Sequence, residues 1–317
     1  MSLGPIMVDV AGHELTAGER ELIAHPNVGG VILFSRNYAS PEQLAALCAE
    51  ILAVGEPRRL LAVDYEGGRV QRFRDGFTVL PAMGELGRDY REDADAACER
   101  AASVGRTIAA ELGPLGIDLC FAPVLDIDHG NSSVIGDRSF GAEVDGIDAL
   151  ATAFRAGLNA GGLVATGKHF PGHGHVAGDS HHELPVDERG IEALRADMEP
   201  FARQIGAGLE SVMMAHIRFP AVDELPASLS TRWIDGILRR ELGFDGAVFC
   251  DDLSMNGARC IADPVERAER AIAAGCDMVP ICNDPATARA VVEGLPVTTR
   301  DTAGRRLMNL YQGKQAT

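Results

Sequence analysis

The stretch KHFPGHGHVAGDSHH, from Lys168 to His182, holds five of the chain's nine histidines together with three glycines and one aspartate. Imidazoles at this density can hold a metal, move protons or decorate a surface. His173 and His175 form an H-x-H pair, and His181 and His182 could extend a ligand set. Zinc sites usually sit on rigid elements at fixed spacing, whereas Gly172, Gly174 and Gly178 make this stretch a pliant loop. Neither a metal nor a cofactor is therefore expected. Asp179 stands two residues before His181. In a turn, that carboxylate can accept from one ring nitrogen, fix the tautomer and favour the cation. The other nitrogen is then available to donate a proton. His173, His175 and His182 read as loop structure or exposed decoration.

Three further motifs carry chemistry. In VDYEGGRVQRF (63–73), Asp64 follows an apolar run, Gly67-Gly68 permits a tight turn, and Arg69 and Arg72 follow. An acid and a guanidinium at one rim suit a polyhydroxylated or anionic ligand, though a surface ion pair has the same signature. In GDRSFG (136–141), Arg138 taken alone reads as a solvated loop arginine. In VFCDDLSMNG (248–257), Asp251 is the first polar residue after an apolar run, which suits a nucleophile or a general base. Asp252 should point elsewhere and cap the next turn. Asp126 and Asp128 are expected to shape their loop.

These residues need elements to hold them. Eight short apolar runs, at 6–10, 29–34, 60–64, 119–127, 163–169, 211–216, 247–252 and 278–282, alternate with helical patterns. Runs that are apolar on both faces suit parallel strands buried on both sides. Ser40-Pro41 marks the start of one helix, at the N-cap and first turn. Eight β-α alternations without a break in composition predict an α/β fold, a (β/α)8 TIM barrel in one domain over 1–317, with a C-terminal helix near 299–312. A doubly wound sheet would want a glycine-rich phosphate turn, and VDVAGHEL is not one. Active sites of barrels lie at the C-terminal strand ends. Asp64, Asp126, Lys168, His169, His216, Asp251 and Asp252 all fall at such ends.

The chain's 46% hydrophobic content over 317 residues can fill a large core, and its net charge of −17 argues against a nucleic-acid partner. No apolar run is long enough for a membrane helix. The N-terminal MSL reads as an expression scar and receives no structural weight. Seven scattered cysteines without a C-x-x-C suggest reduced thiols and a cytoplasmic protein.

In their order and spacing, VDYEGGRVQRF, GDRSF, KHFPGHGHVAGDSH and FCDDLSM resemble glycoside hydrolase family 3. More narrowly, they resemble its single-domain β-N-acetylhexosaminidase branch, which serves cytoplasmic peptidoglycan recycling in Gram-negative bacteria. The resemblance implies Asp251 as nucleophile, and His181 as proton donor and acceptor in a dyad with Asp179. It implies Asp64, Arg72, Arg138, Lys168 and His169 as residues that hold N-acetylglucosamine. Cys250 stands where Ser or Thr is more usual, a small buried change. The activity implied is retaining exo-β-N-acetylglucosaminidase action on GlcNAc–1,6-anhydro-MurNAc-peptides by a monomer. Two alternatives stay open: phosphorolysis in place of hydrolysis, and a catalytically silent muropeptide-binding protein.

Overall fold

Eight strands form where the apolar runs predict them. The computed structural model describes residues 3–180 and 182–311. The strands are β1 (Ile6–Asp9), β2 (Val28–Leu33), β3 (Leu60–Val63), β4 (Leu119–Cys120), β5 (Val164–Phe170), β6 (Ser211–Met214), β7 (Ala247–Cys250) and β8 (Val279–Ile281). They pair in parallel in the order β7-β6-β5-β4-β3-β2-β1-β8. A parallel bridge between Phe249 and Met278 joins the two ends. The chain is thus a (β/α)8 barrel.

Strand alternation sorts the side chains into two layers. Ile32 lies opposite Ala62, Ala62 opposite Leu119, and Leu119 opposite Val164. All four belong to one buried cluster with Met7, Met213 and Phe249, the filling of the barrel. Gly30 keeps room for it, since a Cβ there would lie 2.8 Å from the Met7 methyl carbon. Their neighbours, such as Val31, Leu61 and Val63, face outward into the larger cluster beneath the helices. Leu3, Leu307, Leu310 and Tyr311 pack into the barrel filling. Leu3 therefore has structural weight that its place in MSL did not indicate.

Strand β4 is much shorter than its apolar run. Pro123 has no N–H to donate, so regular pairing stops. The chain nevertheless stays at the sheet, with Leu125 N–H donating to Lys168 O at 2.8 Å. Among the helices, Pro41–Leu52 begins at Ser40, whose side chain accepts from Gln43 N–H, and Ala94–Leu112 is capped by Asp93. The stretch Arg232–Glu241 is wound more loosely than an α-helix, closing with an i→i+5 bond from Leu242 N–H to Ile237 O at 2.9 Å. The C-terminal helix spans Asp301–Met308. No helix among the described residues is long and apolar enough to cross a membrane.

Candidate active site

Of the strand-end residues, Asp64, Lys168, His169, Asp251 and Asp252 line one cavity of about 500 Å³. Its floor begins with β5. Val164, Thr166 and Lys168 alternate onto the same face, so the register that packs Val164 into the filling also turns Lys168 into the barrel mouth. Lys168 Nζ donates to Asp64 Oδ1 at 2.8 Å and lies 2.5 Å from Glu66 Oε1. Glu66 in turn accepts both arms of the Arg138 fork, from Nε at 2.8 Å and from Nη2 at 2.9 Å. Asp64 also accepts from Arg72 Nη2 at 2.9 Å. Three cations and two carboxylates thus form a continuous chain.

Burial alone would raise both carboxyls. For Asp64 the charges of Lys168 and Arg72 outweigh it and hold the group far below the usual carboxylate range. For Glu66 the charges of Arg138 and Lys168 do the same, down to about 2. Burial pulls the Lys168 ammonium the other way, but Asp64 and Glu66 keep it charged. Arg72 Nε is buried with no partner among the described residues.

Arg138 is therefore not the solvated loop arginine that its local sequence suggests. Its partner, Glu66, was missed as a site residue. The only local signal is its place two residues past Asp64, before the glycine pair. Arg69 reaches the surface instead, pairing with Asp137 and donating to Ser133 O and Val134 O.

His169 sits at a shift in register between β5 and β6, which lets its ring leave the strand's alternation. Its Nδ1 lies 2.8 Å from Asp126 Oδ2. Asp126 is fully buried and its carboxyl is lowered: burial opposes ionisation, and His169 outweighs it. An ionised carboxylate only accepts, so Nδ1 carries the proton. Asp126 also accepts from the N–H of His173 at 2.7 Å. Its side chain thus shapes the histidine loop after β5, where the sequence suggests a role in its own loop.

Asp251 follows β7, its N–H donating to Met214 O at 3.0 Å. Its carboxylate accepts from the Asp252 N–H at 2.8 Å, and no cation pairs with it among the described residues. Burial would raise it, yet the nearby His169 and His216 rings and the Asp252 N–H lower it. Asp252 does cap the next turn, accepting from Ser254 N–H at 2.9 Å and Cys282 N–H at 3.0 Å. Burial pushes its carboxyl up to about 6. His216 lies beneath the rim rather than on it. Its Nε2 is 3.0 Å from Asp252 O and its Nδ1 is 2.6 Å from Ser228 Oγ, so it braces the segment after Asp251.

The histidine loop covers the remaining side. Asp179 and Ser180 line the cavity. His181 lies outside the described residues. His182 is exposed, and its Nε2 lies 3.7 Å from Asp179 Oδ2. His173 is loop structure but not exposed: it is 2% accessible, with Nε2 3.3 Å from Ser180 Oγ. Burial pushes its imidazolium down to about 4, so the ring is neutral near pH 7.

The model of the glycosyl hydrolase family 3 N-terminal domain matches residues 6–310. A beta-hexosaminidase of Chromobacterium violaceum is 50% identical over 305 residues, covering 96% of this chain and 85% of that protein. One from Methylobacillus flagellatus is 49% identical, covering 99% and 90%. The crystal structure of NagZ from Neisseria gonorrhoeae in complex with N-trifluoroacetyl-D-glucosamine superposes with a TM-score of 0.94. It is 45% identical, covering 100% of this chain and 92% of that one. The chain therefore belongs to glycosyl hydrolase family 3, as an enzyme of its beta-hexosaminidase kind.

Proposed function

We propose that the protein is a retaining exo-β-N-acetylglucosaminidase. Its substrates are GlcNAc–1,6-anhydro-MurNAc-peptides released during peptidoglycan recycling, and it works as a monomer in the cytoplasm. One observation carries the mechanism. Among the described residues, Asp64 and Glu66 are saturated by cations, and Asp252 is committed to the Ser254 turn. Asp251 alone of these four cavity carboxylates has no cation and only its neighbour's N–H. It is lowered enough to be ionised at neutral pH and is free to attack carbon.

In the first step a carboxylate oxygen of Asp251 bonds to the anomeric carbon as the bond to the leaving oxygen breaks. His181, oriented by Asp179, gives that oxygen its proton. In the second step His181 takes a proton from water as the water oxygen bonds to the same carbon, releasing Asp251. Most retaining glycosidases use a second carboxyl about 5–5.5 Å from the first as the acid. An imidazole in that role does not repel the lactyl and peptide carboxylates of the aglycone.

The remaining charges hold the sugar. Lys168, Arg72 and Arg138 carry donors for ring hydroxyl oxygens, and Asp64 and His169 line the same cavity beside them.

Incubating the enzyme with a GlcNAc–anhydro-muramyl-peptide, with and without phosphate, and identifying the products by mass spectrometry tests the reading. Free N-acetylglucosamine under both conditions is expected. A sugar 1-phosphate would mean phosphorolysis, and no product would mean a binding protein.

A further inference from the structure

The segment that carries Asp251 also grips the histidine loop on either side of His181. After Asp252 the chain makes a short turn at Asn256–Ala258. Gly257 N–H donates to Ser180 O at 2.9 Å. Asn256 Nδ2 donates to His182 O at 3.0 Å. The residues before and after position 181 thus have their carbonyls held by neighbouring residues of one turn. Glycine is required there for space: a Cβ at position 257 would lie 2.9 Å from His216 Cβ and 3.1 Å from Ser180 O. The grip has a firm base, because the buried His216 ring braces Asp252 and Ser228. It has a second contact from within the loop, where His173 Nε2 meets the Ser180 hydroxyl.

We propose that Asn256 and Gly257 form a clasp, a pair of positioning residues that hold Ser180 and His182 beside the cavity that Asp251 lines. The inference rests on the reading of His181 as the proton carrier. Both groups of the double displacement then share one mechanical base: Asp251 follows β7, and the turn five residues on sets where the acid sits. Loop 171–190 carries glycines at 172, 174, 178 and 190, so it has little stiffness of its own. Its placement must come from what it touches. The clasp is also light. Asn256 and His182 are exposed, so that bond exchanges readily with water, as a loop that must admit substrate requires.

The test uses Asn256→Asp, which keeps the shape but replaces the donor with a carboxylate facing His182 O, and Gly257→Ala, which intrudes on Ser180. Hydrogen exchange followed by mass spectrometry reads the loop. Rapid-quench kinetics with a dinitrophenyl N-acetylglucosaminide separates glycosylation, which needs little acid with that leaving group, from the later water attack. Both variants should show faster exchange across 172–189, an unchanged burst rate and an unchanged KM. Turnover of a cell-wall disaccharide should fall on the order of 10–100-fold, the scale of a misplaced catalytic group. Unchanged exchange and turnover in Asn256→Asp would overturn the clasp. A burst rate that falls in parallel with turnover would also overturn it, by placing the effect on Asp251. Failure of the underlying reading shows elsewhere: His181→Ala would then keep its disaccharide turnover, whatever Asn256→Asp does.

Discussion

The floor and the loop of this site are built on opposite principles. In the floor, Asp64, Glu66, Lys168, Arg138 and Arg72 neutralise one another at distances of 2.5–2.9 Å, rooted in β5 and the loops after β3 and β4. The loop from 171 to 190 is anchored at its ends. It is tethered at its entry by Asp126 and at its exit by Arg189, which bridges Asp187 at 2.7 Å and Asp197 at 2.5 Å. Gly174 presses it against the barrel rim, where a Cβ would lie 1.8 Å from Ile127 O. The contrast matches two tasks. Holding a sugar needs donors fixed before it arrives, so that they do not reorganise during reaction. Moving a proton to a bulky aglycone needs a group that can withdraw and return.

The comparison can be broken most forcefully at Lys168. Lys168→Ala leaves Asp64 and Glu66 facing each other without the cation between them. Removing one partner of a buried charge cluster costs about 3–5 kcal/mol. Denaturant melts should show that loss together with lost affinity for N-acetylglucosamine. A variant of native stability that only binds poorly would show the floor to be a ligand site and not a structural one. On the loop the opposite split is expected. His181→Ala should keep its stability and lose on the order of 10²–10⁴ in turnover of a cell-wall disaccharide. With a dinitrophenyl leaving group it should still form the covalent intermediate in a burst, then stall. Asp179→Ala should show a milder form of the same pattern.

A smaller effect concerns pH. The His173 ring is held neutral by burial, down to about 4, against an ordinary value near 6.5. Below the ordinary value the unfolded chain takes up a proton that the fold refuses. Stability is therefore full above about pH 6.5 and falls as the pH drops toward 4, by on the order of 1–3 kcal/mol. His173→Gln should remove that part of the slope from melting temperatures measured between pH 7 and 4. An identical slope in the variant would show that His173 is not the titrating group.

How much of this could be read beforehand differs between the two regions for a physical reason. Strands buried on both faces are continuous apolar runs, so all eight appear at their places, and the polar residue ending each run marks the rim. Local pattern fails where long-range contact decides. Glu66 reads as a loop residue because Arg138, 72 positions away, is what makes its burial tolerable. His173 reads as decoration because nothing nearby in sequence shows Asp126 drawing its N–H inward.

Trapping the covalent intermediate tests the central claim most directly. The enzyme is inactivated with a fluorinated N-acetylglucosamine derivative, digested, and the labelled peptide sequenced by mass spectrometry. The adduct is expected on Asp251, which is neither paired with a cation among the described residues nor committed to a turn, and Asp251→Asn should take up no label while remaining folded. Label on Asp252 or Glu66, or rapid turnover without any adduct, would contradict the account.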